Sequence, residues 1–152
     1  MNLYQVLEFV HVAAAMAWIG GALTLGALSA RTFRNEDGAA LLVLSEQAGF
    51  VGRSVLGPSA VVTLVAGISL VHVAGWGLTL WTVWGLAGVV ISMFLGARVI
   101  APAHRHLAAV AAASWPDPRA LVEARRRVAA WGTLNLVLLL SVVWAMVAKP
   151  TL

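Results

Sequence analysis

The chain has 152 residues, of which 61% are hydrophobic and only 11% are charged, and its formal net charge is +4. A soluble domain carries about 25% charged residues, so this composition excludes an ordinary soluble protein and indicates a membrane protein. The absence of cysteine excludes disulfides, thiolate metal sites and thiol catalysis.

Segments without Asp, Glu, Lys or Arg predict four transmembrane helices. The first and last of these segments are 9–30 and 128–148, and a longer one, 54–97, contains Ala74-Gly75-Trp76-Gly77 near its middle. Because about 20 helical residues cross a bilayer core of about 30 Å, the long segment predicts two helices joined by a tight turn. Helices are expected because the apolar residues do not alternate and lipid leaves no backbone group unpaired.

The predicted fold is therefore all-α: a polytopic membrane protein with one transmembrane domain over 1–152, folded as an antiparallel four-helix bundle. The transmembrane helices are expected near 5–30, 55–74, 79–101 and 127–148.

The connections between these helices also predict helical structure. Residues 36–50 predict a short helix lying in the membrane interface, and residues 103–113 predict a helical extension of the third transmembrane helix. Asp117 can cap, and Pro118 can begin, a helix that continues into the fourth transmembrane helix.

The arginines predict the orientation. Nine of the ten basic residues are arginines in or beside the first and third connections, and Lys149 is the tenth. The positive-inside rule then predicts a multi-pass protein of the bacterial inner membrane, with these connections cytoplasmic and both termini outside. The sequence pI of about 11.2 is thereby explained as a topology signal. The expected partner is the lipid bilayer, and no nucleic-acid partner is expected.

Four polar or sulfur-containing side chains are predicted to share one layer near the outer end of the bundle. Glu8 precedes His11 by three residues and lies on the same side of the first helix. The second and fourth helices run towards the same end and bring His72 and Met146 to a similar depth. Ionisable groups inside a membrane are costly and usually face the bundle interior, so this layer is the candidate site.

The layer allows more than one function. His11 and His72 could be the axial ligands of a b-type haem, with Trp18, seven residues after His11, as a wall of the cofactor pocket. The same histidines with Glu8 or Met146 could bind copper. His11 could also simply hydrogen-bond a neighbouring side chain or backbone carbonyl. The residues specify no reaction, so whether the protein is an enzyme stays open.

Glycines predict a further alternative without a cofactor. Small residues let membrane helices approach closely, so the glycine-rich faces could dock onto other membrane subunits or a second copy of the chain. In this reading the protein is an accessory subunit of a membrane complex. Asn135, in the middle of the fourth helix, is expected to make an interhelical hydrogen bond.

A family resemblance bears on these alternatives. His11-Val12, followed after five residues by Trp18-Ile19-Gly20-Gly21, resembles the first-helix pattern of the copper-resistance D (CopD)-like superfamily, which includes the HemJ-type protoporphyrinogen oxidases. Over its full length the chain is similar to an uncharacterised family of bacterial four-helix integral membrane proteins, whose M-x-x-K-P ending matches residues 146–150.

The resemblance implies a role for His11. In HemJ-type enzymes the first-helix histidine is a haem b ligand, and this role would fall on His11 here. The second helix of those enzymes supplies a further basic residue, whereas the second predicted helix of this chain has no lysine and carries only His72 near its end. The CopD side of the resemblance implies copper handling.

Overall fold

A computed structural model describes residues 2–35, 38–113, 115 and 117–149, and no strand occurs within these ranges. Six α-helices and two π-helical segments are present in the described residues. The α-helices are α1 (Leu3–Asn35), α2 (Gly38–Val51), α3 (Gly57–Val73), α4 (Leu80–Leu95), α5 (Ala101–Ala111) and α6 (Pro118–Ala148).

Four continuous helices result, because α2 joins α3 and α4 joins α5 without a break. Each is long and apolar enough to cross a membrane: Leu3–Arg34, Ala39–Val73, Leu80–Ala111 and Pro118–Ala148. The prediction of an all-α fold with four transmembrane helices is confirmed. The helices are longer than predicted because their polar and basic ends continue the helical backbone beyond the apolar segments.

The helix ends follow from local chemistry. Asn2 and Gln5 cap α1 reciprocally, since each backbone N–H donates to the other's side-chain oxygen. The Asp117 carboxylate accepts from the Arg119 backbone N–H at 2.9 Å, and Pro118 is the first residue of α6, as predicted. The predicted turn between the second and third spans is present, and Gly75 adopts a positive φ of 65° there.

The second and third of these continuous helices each contain one π-helical segment. One is Gly52–Leu56 between α2 and α3, and the other is Gly96–Ile100 between α4 and α5. Each begins at a glycine, and a proline follows that glycine after six residues, Pro58 and Pro102 respectively. A proline inside a helix lacks the N–H and crowds the carbonyl four residues earlier, and the wider π turn accommodates both effects.

The helix predicted over residues 36–50 is present as α2. Through the π-helical segment it continues the course of α3, and it packs against α5. Its apolar residues Leu41, Leu44 and Ala48 are buried, whereas Val43 and Phe50 are exposed. Residues 36 and 37 lie outside the described residues.

The bundle core contains one buried side chain from each long helix. Trp18, Ala60, Val89 and Leu139 meet in the middle of the bundle. We call the end that carries the start of α1 and the end of α6 the aromatic end, because Tyr4, Trp76 and Trp81 lie there. The opposite end, which carries α2, α5 and the start of α6 with most of the arginines, is the basic end.

Candidate functional site

His11 lies on the side of α1 that faces the other helices. Trp18, seven residues later on the same side, is buried in the bundle core, and Ala14 and Ala15 between them are partly buried. Val12, Ala13 and Met16 are exposed on the opposite side. The helical repeat therefore directs the imidazole into the bundle, as expected for an ionisable group in a transmembrane helix.

A hydrogen bond to the backbone of α3 fixes the His11 ring. Nδ1 of His11 lies 2.9 Å from the carbonyl oxygen of Thr63. Because a carbonyl oxygen only accepts, Nδ1 carries the hydrogen and donates it. In the neutral ring Nε2 is then the unprotonated nitrogen, with a lone pair available to a metal or a proton donor.

Gly67 makes this approach of the two helices possible. A Cβ atom on Gly67 would lie 3.0 Å from Cε1 and 3.2 Å from Nδ1 of His11, which is closer than side chains normally pack. The carbonyl that His11 contacts belongs to Thr63, four residues earlier on the same side of α3. The Thr63 hydroxyl donates to the Ser59 carbonyl at 2.8 Å, so it does not compete for the imidazole.

The structure does not bring His72 to the face of α3 that contacts His11. His72 is exposed and follows Gly67 by five residues, which corresponds to about 7.5 Å along the helix and a rotation of about 140°. It lines a shallow groove of about 450 Å³ between α3 and α4, together with Ile68, Trp76 and Leu86. The two imidazoles are thus presented to different sides of α3.

The remaining predicted site residues are also placed separately. The Met146 methyl group packs against Gly85 of α4, in a gap that a Cβ atom on Gly85 would fill. Glu8 is exposed on α1. Trp18 is buried in the bundle core. Of the predicted set, only His11 and Trp18 lie on one buried side of a helix.

These positions decide how well a metal or haem would fit. Among the described residues no group of three or more His, Asp or Glu side chains could hold a metal ion. A histidine can hold haem iron through an unprotonated ring nitrogen, and Nε2 of His11 is such a nitrogen in the neutral ring. The donor chemistry therefore fits a haem held by His11 alone. It does not fit a haem held by a pair of histidines, because His72 faces another side of α3.

Sequence reasoning missed the two residues that position His11. The Thr63 carbonyl is a backbone group, which no side-chain pattern reveals. Gly67 could be recognised from the sequence only as a small residue in the second span. The sequence did not show that it lies against His11 of the first helix. The predicted interhelical hydrogen bond of Asn135 is confirmed, since the Ser92 hydroxyl donates to Asn135 Oδ1 at 2.7 Å in the buried interface of α4 and α6.

Comparison with known proteins identifies the family. The family model described as "Predicted integral membrane protein (DUF2269)" matches residues 5–150. Neither the comparison with curated proteins nor that with solved structures finds a match. The match extends over nearly the whole chain, from the first turn of α1 past the end of α6, so this chain belongs to the DUF2269 family of integral membrane proteins.

Proposed function

We propose that this chain is a membrane-embedded redox subunit in which His11 is an axial ligand of a b-type haem, serving electron transfer or oxidation of a membrane-soluble partner. A bound haem supplies one-electron chemistry that the side chains of this protein lack. The observation that carries the proposal is the hydrogen bond from His11 Nδ1 to the Thr63 carbonyl at 2.9 Å.

This hydrogen bond is the arrangement that metal-binding histidines use. Such a histidine almost always donates its second ring N–H to a carboxylate, a backbone carbonyl or water, which fixes the tautomer and makes the ligating nitrogen more basic. Thr63 supplies such a carbonyl on a rigid transmembrane helix. The absence of a side chain on Gly67 lets the ring lie against that helix, so its orientation is set before any ligand binds.

We take His11 as the only histidine ligand that this chain contributes. His72, the second ligand that the sequence suggested, faces the groove between α3 and α4 and lacks a comparable fixed orientation. The copper alternative has less support, because the Met146 methyl group packs against Gly85 and Glu8 is exposed. The similarity of the first helix to the HemJ-type and CopD-like proteins supports the same choice of His11.

Absorption spectroscopy tests this proposal. The protein is purified in detergent from haem-sufficient cells, and its spectrum is recorded before and after dithionite reduction. We expect a Soret band and a reduced α band in the wild type and in His72→Ala, and their loss in His11→Ala. A colourless wild-type preparation, or an unchanged haem spectrum in His11→Ala, would refute the proposal.

A second candidate function, that of an accessory subunit without a cofactor, rests on the outward side of α1. Small residues repeat along this exposed side, which we call the open face of α1: Ala13, Ala17, Gly20, Thr24 and Ala27. A Cβ atom on Gly20 would meet nothing within 4 Å, whereas one on the neighbouring Gly21 would lie 2.6 Å from the Leu56 side chain. Spaced small residues of this kind favour close helix association in membranes.

Disulfide cross-linking tests this second function, because the chain has no native cysteine. Ala17→Cys on the open face is compared with Val65→Cys, which is exposed on α3. If a second copy packs on α1, oxidation in native membranes gives a dimer of Ala17→Cys and not of Val65→Cys. Equal or absent cross-linking would contradict self-association through this face.

We further propose that the basic end lies in the cytoplasm and the aromatic end outside, in a bacterial inner membrane. The support is the concentration of arginines in the first and third connections. Single cysteines at Ala113 and Gly77, which are exposed at opposite ends, test it with a membrane-impermeant maleimide on intact cells. Labelling of Gly77→Cys alone is expected, and labelling of Ala113→Cys alone would reverse the orientation.

A further inference from the structure

Three aromatic side chains from separate elements meet at the aromatic end. The Tyr4 and Trp76 rings lie with centroids 6.1 Å apart and an interplanar angle of 89°. The Trp76 and Trp81 rings lie 5.1 Å apart at 72°. The two indoles are steeply inclined to each other, and we call this arrangement the tryptophan corner.

A single cation occupies the tryptophan corner. The Nζ atom of Lys149 lies 5.1 Å from the ring centroid of Trp76 and 5.6 Å from that of Trp81. Both distances are within the range of about 6 Å over which an ammonium group is attracted to an aromatic ring. Lys149 is the only lysine of the chain.

Aromatic rings are the partners that the structure gives this ammonium group. The one ion pair among the described residues joins Arg127 to Glu123 at the basic end, so no described carboxylate pairs with Lys149. The Lys149 backbone also adopts a left-handed conformation with φ of 42°, which is unusual for a residue other than glycine. This residue ends α6, and its side chain reaches the turn between α3 and α4 and the start of α4.

We propose that the tryptophan corner is a binding site for ammonium groups, which Lys149 fills and for which phospholipid ammonium headgroups compete. Stacked or inclined aromatic rings are the recognition element for choline-type cations in proteins. The corner lies at the end of the transmembrane helices, where tryptophan and tyrosine side chains meet the headgroup layer.

The competition follows from how the lysine is held. Lys149 is exposed and is tethered to the corner only through the end of α6, so it binds with the limited effective concentration of a flexible side chain. Headgroups of phosphatidylcholine or phosphatidylethanolamine are concentrated in the same layer. A lipid or a free quaternary ammonium ion can therefore exchange with the lysine without disturbing the helices.

Nuclear magnetic resonance of the single lysine tests this proposal directly. Reductive ¹³C-methylation leaves Lys149 charged and gives one lysine signal, distinct from that of the N-terminal amine. The full-length protein is compared in nanodiscs of phosphatidylglycerol alone, in nanodiscs with increasing phosphatidylcholine, and in phosphatidylglycerol nanodiscs with added tetramethylammonium. The last two samples distinguish a lipid headgroup from a free ammonium ion.

We expect the lysine methyl signal to be shifted upfield by the indole rings in phosphatidylglycerol nanodiscs. The shift should decrease as either ammonium compound is added. Trp76→Leu should strongly reduce the shift, because only the Trp81 ring then remains beside the ammonium group. Trp144→Phe, which changes an exposed tryptophan outside the corner, should leave the shift unchanged. If Trp76→Leu does not fold, Trp76→Phe should reduce the shift.

Two results would overturn the proposal. A lysine signal without an upfield shift in phosphatidylglycerol nanodiscs would show that the corner does not hold the ammonium group. A shifted signal that neither phosphatidylcholine nor tetramethylammonium changes would show that the contact is a fixed structural one.

Discussion

Two helix interfaces of this bundle use glycines in the same way but fill the space differently. Where α4 meets α6, Gly85 and Gly88 make room for Met146 and Val142, which are apolar side chains. Where α1 meets α3, Gly67 makes room for the ring of His11. The glycines of the first interface are explained by apolar packing, whereas the second interface places an ionisable ring where an apolar side chain would serve packing equally well.

The hydrogen bonds across the two interfaces also differ. Across α4 and α6, side chains bond to side chains: Ser92 to Asn135 at 2.7 Å, and Trp84 to Ser141 at 3.2 Å. Across α1 and α3, the imidazole bonds to a backbone carbonyl and uses only one of its two nitrogens. Substitutions should therefore reduce stability most at the α4–α6 interface and affect cofactor binding most at the α1–α3 interface.

The largest loss of stability is expected for Gly88→Ala. The new Cβ atom would overlap a methyl group of Val142, a β-branched side chain with little rotational freedom. Overpacking of this kind costs about 1–3 kcal/mol. Thermal unfolding in detergent measures it, with Gly85→Ala as the control, because the Met146 side chain that it meets is flexible. Equal losses in the two variants would contradict the packing account of this interface.

A smaller loss is expected for Asn135→Leu. The substitution removes the acceptor of the Ser92 hydroxyl, and interhelical hydrogen bonds in membranes contribute about 0.6 kcal/mol on average. The double variant Ser92→Ala with Asn135→Leu should be about as stable as Asn135→Leu, because the contact is already lost. Additive losses measured by thermal unfolding would mean that the two side chains act independently.

The sequence predicted more of the fold than of the site, for physical reasons. Helix number and the caps depend on local composition, and Asp117 and Asn135 behave as predicted. The match of depth between His11 and His72 was inferred from distances to the helix ends. Depth fixes position along a helix but not rotation about its axis, and His72 lies on another side of α3. The π-helical segments add a further rotation that a regular helical repeat does not include.

The same limit applies to the other site residues. Met146 was expected at a depth similar to that of His11. Depth did not show which helix it would contact, and in the structure it packs against Gly85 of α4. Tryptophans near the ends of transmembrane helices are typical of the aromatic belt at the membrane interface. Their contact with Lys149 depends on how the end of α6 meets the turn between α3 and α4, which are distant in sequence.

A loss of stability no larger than that of Asn135→Leu is expected for His11→Phe, together with a large loss of bound haem. The lost hydrogen bond contributes about 0.6 kcal/mol, and an apolar ring of similar shape replaces the imidazole. Thermal unfolding and haem content of the same preparation separate the two effects. A large loss of stability without change in haem content would assign His11 to packing.

The smallest change in stability is expected for Gly67→Ala. The added methyl group displaces the His11 ring by a few tenths of an ångström, while alanine favours the helix over glycine by about 1 kcal/mol, so the two effects offset each other. Haem affinity should nevertheless decrease, because the ring loses its fixed orientation. Haem titration of the apoprotein measures this. An affinity equal to that of the wild type would show that the orientation does not matter.

The most direct test of the role of His11 is the haem content of His11→Gln beside the wild type, from the absorption of the purified proteins at the Soret band. Glutamine can still donate a hydrogen bond to the Thr63 carbonyl but offers no imidazole nitrogen. If His11 is a haem ligand, the wild type contains haem and His11→Gln, although folded and equally stable, does not. Equal haem content in both proteins, or none in the wild type, would contradict the assignment.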